Sequence, residues 1–97
     1  MKESTLRTNI VKKLRAYSGW WIVTHGAQFQ TGGLPDIIGC CQGRFYGLEV
    51  KLPGKEHTLT ERQAHRLAQI TNAGGKAAMV TSVDQAMDLV FNDPLRT

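Results

Sequence analysis

Three charged side chains near the middle of the chain have the types and spacing to act on a phosphate group. Asp36 follows Pro35, and after twelve intervening residues comes the triplet Glu49-Val50-Lys51. Two carboxylates a few ångströms apart repel each other when ionised, and a divalent cation bound between them relieves that repulsion. Oxygen ligands without a matching cluster of Cys or His favour Mg²⁺ or Mn²⁺ over zinc. A protonated lysine beside them can stabilise negative charge in a transition state, a role that suits it better than general base.

These side chains converge only if a β-hairpin carries them. Two apolar runs flank a short turn, in the order Ile37–Cys41, Gln42-Gly43 and Phe45–Leu52. Pro35 precedes the first run, which places Asp36 at the mouth of the first strand. Because side chains alternate between the faces of a strand, Glu49 and Lys51 share one face of the second strand. The pattern therefore predicts one cluster of two acids and a lysine.

The rest of the chain predicts three helices and two more strands around the hairpin. The helices are expected at Lys2–Tyr17, from the N-cap Thr60 to about Asn72, and from the N-cap Ser82 to Phe91, and the strands at Trp20–Thr24 and Lys76–Thr81. A glycine-containing loop, Ala27–Leu34, follows the first of these strands, and His25 and Gln28 could contact a substrate there. The order αβββαβα predicts a single α/β domain, residues 1–97, with a small mixed sheet and helices on its faces.

Two helix residues each have two interpretations. Glu3 extends the apolar stripe of the first helix, which would aim its carboxylate inward, but an acid also suits the exposed N-terminus of a helix. The apolar residues of this stripe are Leu6, Ile10, Leu14 and Tyr17. Gln63 has the spacing of a capping box with Thr60, and it also lies one turn before Leu67 on the buried stripe. Considered alone, the residues favour the exposed position for Glu3 and the cap for Gln63.

The charge balance is compatible with a polyanionic partner. The chain has a net charge of +4, and its basic residues concentrate in the first and middle segments. A charge of this size is also common on surfaces that are simply solvated. If the partner is DNA, the basic side chains expected to contact it are Lys12, Lys13, Lys55, Arg62 and Arg66.

Hydropathy and cysteine placement indicate the cellular location of the protein and the state of its cysteines. No apolar run approaches the length needed to cross a bilayer, and the polar N-terminus lacks the apolar centre of a signal peptide. We therefore expect a cytoplasmic protein without a membrane partner. Cys40 and Cys41 are neighbours on a strand, where their side chains point to opposite faces, so we expect two reduced packing residues.

The combined motifs resemble those of a known nuclease family. Pro35-Asp36 followed by Glu49-Val50-Lys51 is similar to the PD-(D/E)xK motif. The nearer resemblance is to small stand-alone members of the VRR-NUC (virus-type replication-repair nuclease) family, which are phage- or bacterium-encoded. That family also has a glutamate early in its first helix, a Gly-x-Pro-Asp turn and a glutamine early in the next helix. Here Glu3, Gly33 and Gln63 occupy these positions.

The resemblance implies more than the residues alone. It implies a restriction-endonuclease-like fold, cleavage of DNA with Mg²⁺ or Mn²⁺, and a homodimer acting on branched DNA such as Holliday junctions. It also implies catalytic roles for Glu3 and Gln63 beside Asp36, Glu49 and Lys51. The implied metal ligands are Asp36, Glu49, the Val50 backbone carbonyl and Glu3 through a water.

Other functions remain open on the sequence. A general DNA nuclease of the restriction or exonuclease type would share the chemistry and differ in its choice of substrate. A DNA-binding module without turnover would keep the fold alone. Aromatic side chains that could serve a dimer interface, base stacking or the core are Trp20, Trp21, Phe29 and Tyr46.

Overall fold

The computed structural model describes residues 1–24 and 32–94, and within them the elements follow the expected order. Their bounds are α1 Glu3–Tyr17, β1 Trp20–Val23, β2 Ile37–Cys41, β3 Arg44–Val50, α2 Glu61–Asn72, β4 Lys76–Val80 and α3 Val83–Phe91, with a 3₁₀-helix at Glu56–Thr58. The α/β class and the order αβββαβα are confirmed, while the 3₁₀-helix was not predicted. His25, Gln28 and Phe29 lie outside the described residues.

The four strands form one mixed sheet in the order β1-β2-β3-β4. The pairs β1–β2 and β2–β3 are antiparallel, and β3–β4 is parallel, with α2 in the crossover. The hairpin turn has positive φ at both central residues, 49° at Gln42 and 83° at Gly43, as in the two-residue turns that match strand twist. This turn fixes the register in which Ile37 pairs with Leu48.

The hydrophobic core lies between one face of the sheet and the helices α1 and α3. It includes the predicted stripe of α1 and the inward side chains of the strands and α3, namely Leu6, Ile10, Leu14, Trp21, Ile37, Tyr46, Leu48, Val50, Val80, Ala86 and Val90. The rings of Trp21 and Tyr46 contact each other with centroids 5.8 Å apart. Two of the aromatic residues whose role the sequence left open therefore belong to the core.

Helix α2 packs on the opposite face of the sheet, over β3 and β4. Gly47 makes this approach possible, because a Cβ there would lie 2.8 Å from Ile70 Cδ1. Gly47 is two residues before Glu49 and therefore on the same face. Helix α2 and the side chains of Glu49 and Lys51 thus occupy one side of the sheet.

Several local predictions need correction. Tyr17, placed on the buried stripe of α1, is 64% exposed, because the core contacts of that stripe end at Leu14. Cys41 is buried but Cys40 is exposed, since alternation places Cys40 on the face that α1 and α3 do not cover. Strand β3 ends at Val50, before the predicted Leu52. No helix within the two described ranges is long and apolar enough to cross a membrane.

Candidate active site

The backbone of Pro35 and Asp36, just before β2, is held by Thr24 on one side and lies beside α2 on the other. The Thr24 backbone N–H donates to the Asp36 carbonyl at 2.8 Å, and the Thr24 hydroxyl donates to the Pro35 carbonyl. Gly33, with φ of 83°, lies against the first turn of α2, and a Cβ there would come within 2.8 Å of the Arg62 carbonyl oxygen. Glycine is therefore required at this position if the Pro35-Asp36 turn is to sit beside α2.

The sheet register places Asp36 opposite Glu49. Ile37 pairs with Leu48, so one further step along the antiparallel ladder brings the two acids face to face. Directly opposed residues have Cβ atoms about 4.5–5.5 Å apart, and like charges in such a pair destabilise the sheet. Both acids are buried, with Asp36 6% and Glu49 2% exposed. The hairpin thus holds two carboxyl groups together in a poorly solvated position.

The Asp36 carboxylate, and not a backbone carbonyl, accepts the hydrogen bond from the last residue of β3. Its Oδ2 accepts a hydrogen bond from the Val50 backbone N–H at 2.9 Å. The next backbone N–H, that of Lys51, points the other way and donates to the Val80 carbonyl of β4 at 3.1 Å. Because the N–H and C=O of one strand residue point to the same side, the Val50 carbonyl lies on the Asp36 side. The main-chain oxygen implied as a ligand therefore faces the two acids.

Glu49 is only partly satisfied. Its Oε2 accepts a hydrogen bond from Gln63 Nε2 at 3.1 Å and lies 3.9 Å from the Lys51 ammonium. Its Oε1 is buried and has no hydrogen-bond partner among the described residues. Burying a charged oxygen without a partner is costly, so this atom marks the place where a ligand would be favoured.

The same surroundings change the acidity of Glu49. Burial has the largest effect and raises the pKa of Glu49 from its ordinary 4.5 to about 8, together with the negative charge of Asp36 and a side-chain hydrogen bond to Asp36. The positive charge of Lys51 acts in the opposite direction and lowers this pKa. Glu49 therefore tends to retain a proton at neutral pH. A cation at the same place would offset the repulsion that retains it.

Gln63 fulfils both interpretations that the sequence offered. Its backbone N–H donates to Thr60 Oγ1 at 3.1 Å, and its side-chain oxygen accepts from the Thr60 N–H at 2.9 Å, which completes the capping box. The amide nitrogen remains available and donates to Glu49. Because one amide carries both an acceptor and donors, the cap and the inward contact do not compete.

Glu3 lies at the margin of this cluster. Its charge raises the pKa of Glu49, although less than burial and Asp36 do. Its side chain is 37% exposed and forms an ion pair with Arg7, whose Nη1 lies 3.3 Å from Glu3 Oε1. Arg7 is only 8% exposed, and it is not among the predicted site residues. The one signal that could have found it is its spacing of four residues from Glu3, which favours an ion pair on a helix.

The basic side chains assigned to DNA contact do not form one patch. Arg62 and Arg66 lie on α2 beside the glycine turn, where Arg66 Nε donates to the Gly32 carbonyl at 3.3 Å, and Lys55 is exposed in the connection before α2. Lys12 and Lys13 are exposed on α1, which packs on the other face of the sheet. Only the first three can approach a substrate from the α2 side.

The donor set suits a hard ion held by few protein ligands. No group of three or more His, Cys, Asp or Glu side chains that could hold a metal occurs in the described ranges. Two carboxylates and a main-chain carbonyl nevertheless match the way Mg²⁺ is commonly held, because that ion retains waters and shares its coordination with substrate phosphates. The unpartnered Glu49 Oε1 is the observation that makes these residues fit.

Comparisons of the chain with protein-family models, with curated proteins and with solved structures find no match.

Proposed function

We propose that this protein is a divalent-metal-dependent DNA endonuclease with the PD-(D/E)xK type of site, on a restriction-endonuclease-like fold of the VRR-NUC kind. One observation carries the proposal. Asp36 and Glu49 are buried opposite each other, and Glu49 Oε1 has no partner among the described residues. Such a pair does not stabilise the fold, since two buried carboxyl groups avoid repelling each other only by retaining a proton or binding a cation.

Mg²⁺ or Mn²⁺ would be held by the Asp36 and Glu49 carboxylates and the Val50 carbonyl, with Glu3 reached through a water. When bound, the ion supplies positive charge at the scissile phosphate and lowers the pKa of an attacking water. Glu49 must be ionised to hold the ion, so binding of the ion at neutral pH would release the proton that Glu49 retains without it.

The surrounding side chains orient the acids. The Val50 N–H fixes Asp36, and the Gln63 amide holds Glu49 Oε2, which leaves the other oxygen of Glu49 available. Lys51 is 8% exposed, with its ammonium beside Glu49. From this position the Lys51 ammonium can approach a non-bridging phosphate oxygen and stabilise its charge in the transition state.

The proposed substrate is branched DNA, cleaved by a homodimer. Lys55, Arg62 and Arg66 border the cluster on the α2 side, where they can contact phosphates next to the cleavage point. One chain offers one site, and twofold pairing would present two sites to symmetry-related strands of a junction.

The decisive test is a substrate panel. Labelled linear duplex, single-stranded, forked and four-way-junction DNA are incubated with Mg²⁺, Mn²⁺ or EDTA. We expect divalent-dependent cleavage that favours branched DNA, and a loss of about 100-fold or more in Asp36→Ala and Lys51→Ala. Asp84→Ala is the matched control, since Asp84 is an exposed acid on α3, away from the hairpin.

Each alternative gives a different result. Equal cleavage by the two variants and the wild type would refute the proposed site. Salt-sensitive binding of DNA without cleavage under any divalent ion would indicate a binding module instead. Preference for linear ends or for a sequence would indicate a general nuclease.

A further inference from the structure

The sheet face that carries the acids continues across β1 and β2. The register aligns cross-strand rows on this face, which are Trp20–Cys40–Phe45, then Ile22–Ile38–Gly47, then Thr24–Asp36–Glu49. Successive rows are two residues apart, so Trp20 lies about 13 Å from the acid row at about 3.3 Å per residue. The row that contains Trp20 is therefore in line with the site and close to it.

This outer row is open. Helix α2 packs over β3 and β4, away from β1. Trp20 is 61% exposed and Phe45 is 42% exposed, with the exposed Cys40 between them. A soluble domain seldom exposes adjacent large apolar side chains without a partner for them. We call Trp20, Cys40 and Phe45 the aromatic row.

The edge of the sheet beside the aromatic row is basic. Arg15 donates from Nε and Nη2 to the Trp21 carbonyl at 3.2 and 2.8 Å, which holds its guanidinium along the outer edge of β1. Lys12 and Arg15 also line a surface cleft with Val23, on the α1 side of this edge. Cations next to an exposed tryptophan favour a chain that has both phosphates and ring faces. A second copy of this protein, with its own charge of +4, would not benefit from them.

We propose that the aromatic row binds unpaired nucleotides of the strand being cut, with a base stacked on Trp20 and its phosphates beside Arg15. This inference depends on the proposed function, because it takes the acid row as the cleavage point. The separation of about 13 Å corresponds to roughly four nucleotides of a helical strand at 3.4 Å each, and to fewer in an extended strand. A preference for branched DNA would then originate in the unpaired bases that such DNA supplies.

The test measures binding in EDTA, where metal-dependent cleavage is absent. Fluorescence anisotropy compares a forked DNA with unpaired arms and a fully paired duplex. We expect Trp20→Ala to weaken forked-DNA binding about tenfold because the stacking surface is lost, with Trp20→Phe close to wild type because phenylalanine keeps a ring. Duplex binding should change less than twofold. Tyr17→Ala is the matched control, since Tyr17 is a 64% exposed aromatic residue on α1.

A second experiment alters the DNA in place of the protein. An abasic nucleotide is placed in turn at each position of the unpaired arm. One position should reproduce the loss seen in Trp20→Ala and cause no further loss in that variant. Tryptophan emission should be quenched by forked DNA in the wild type and not in Trp20→Phe, where the buried Trp21 remains as a reference.

Three results would overturn the inference. The first is that Trp20→Ala binds forked DNA as well as the wild type does. The second is that Trp20→Ala loses equal affinity for duplex and forked DNA. The third is that Trp20→Ala sediments as a monomer while the wild type sediments as a dimer. The last result would mean that a second copy covers the row. Failure of the nuclease proposal is distinguishable, because a protein that never cleaves could still show the Trp20-dependent binding. Circular dichroism melts confirm that each variant is folded.

Discussion

Two buried carboxylates at opposite ends of β3 have opposite surroundings. Asp93 packs against the start of the strand, where its side chain is 1% exposed and pairs with Arg44 and with Lys76 at 3.8 Å. It also accepts a hydrogen bond from the Tyr46 hydroxyl at 2.8 Å. Glu49, near the other end, faces a second acid and has an oxygen without a partner among the described residues.

The difference separates a structural cluster from a candidate active site. Buried polar groups that are fully paired rigidify a fold, and each partner depends on the others. Buried acids placed together cost free energy in the absence of a ligand, and this cost is recovered only when a cation binds. By this criterion Asp93 anchors the C-terminal segment to the sheet, and the surroundings of Glu49 are those expected of the proposed metal site.

The largest expected effect is on stability, at Asp93. Asp93→Asn would remove the buried counter-charge of Arg44 and Lys76, whose side chains are 16% and 30% exposed, so the free energy of unfolding should fall by about 3 kcal/mol. Urea denaturation at low temperature measures it. Tyr46→Phe removes only the hydroxyl hydrogen bond and should cost about 1 kcal/mol.

Cleavage per folded molecule should be unchanged in Asp93→Asn, because Asp93 lies away from the acid pair. An Asp93→Asn variant as stable as the wild type would show that the pairing at this end of β3 is not what stabilises the fold.

At Glu49 we expect the reverse of Asp93, namely a loss of cleavage without a loss of stability. Glu49→Gln removes a proposed metal ligand, so divalent-dependent cleavage should fall by about 100-fold or more. In EDTA the variant should be at least as stable as the wild type above pH 8, because it no longer holds two opposed charges. Cleavage assays and urea denaturation at pH 5, 7 and 9 test both statements.

The pH dependence follows from the raised pKa of about 8 in the folded protein against 4.5 in the unfolded chain. Between these values the folded protein keeps a proton that the unfolded chain releases, so stability decreases as the pH rises. The contribution of this proton is complete below pH 4.5 and is lost as the pH rises through about 8. Glu49→Gln should remove this part of the pH dependence. The same slope in the variant and the wild type would contradict the assignment.

The sequence was sufficient for features that depend on local periodicity. Alternation along the hairpin placed Glu49 and Lys51 on one face, and the two-residue turn set the register that opposes Asp36 to Glu49. The α1 stripe and the two side-chain N-caps also follow from short-range rules, and the structure has them. These features involve residues a few positions apart or one tight turn apart.

Features that depend on how distant elements pack were not predictable. Arg44 and Asp93 are 49 positions apart, and no spacing rule connects them. The burial of Arg7 and the exposure of Trp20 and Tyr17 depend on where each helix or strand leaves the core. Gln63 is intermediate, because its cap is local while its contact with Glu49 requires α2 to approach the sheet at Gly47.

The smallest effect separates the two functions of Gln63. Thr60→Ala removes the hydrogen bond from the Gln63 backbone N–H to the Thr60 hydroxyl and leaves the Gln63–Glu49 hydrogen bond. Gln63→Ala keeps that backbone hydrogen bond and removes the side-chain contacts with the Thr60 N–H and with Glu49. Each should lower the free energy of unfolding by about 1 kcal/mol, because each breaks the capping box. Only Gln63→Ala should raise the Mg²⁺ concentration needed for half-maximal cleavage, by about 10-fold, since the group that orients Glu49 is lost. Equal metal dependence in the two variants would mean that Gln63 serves the helix alone, and would leave Glu49 positioned by Lys51 and the sheet.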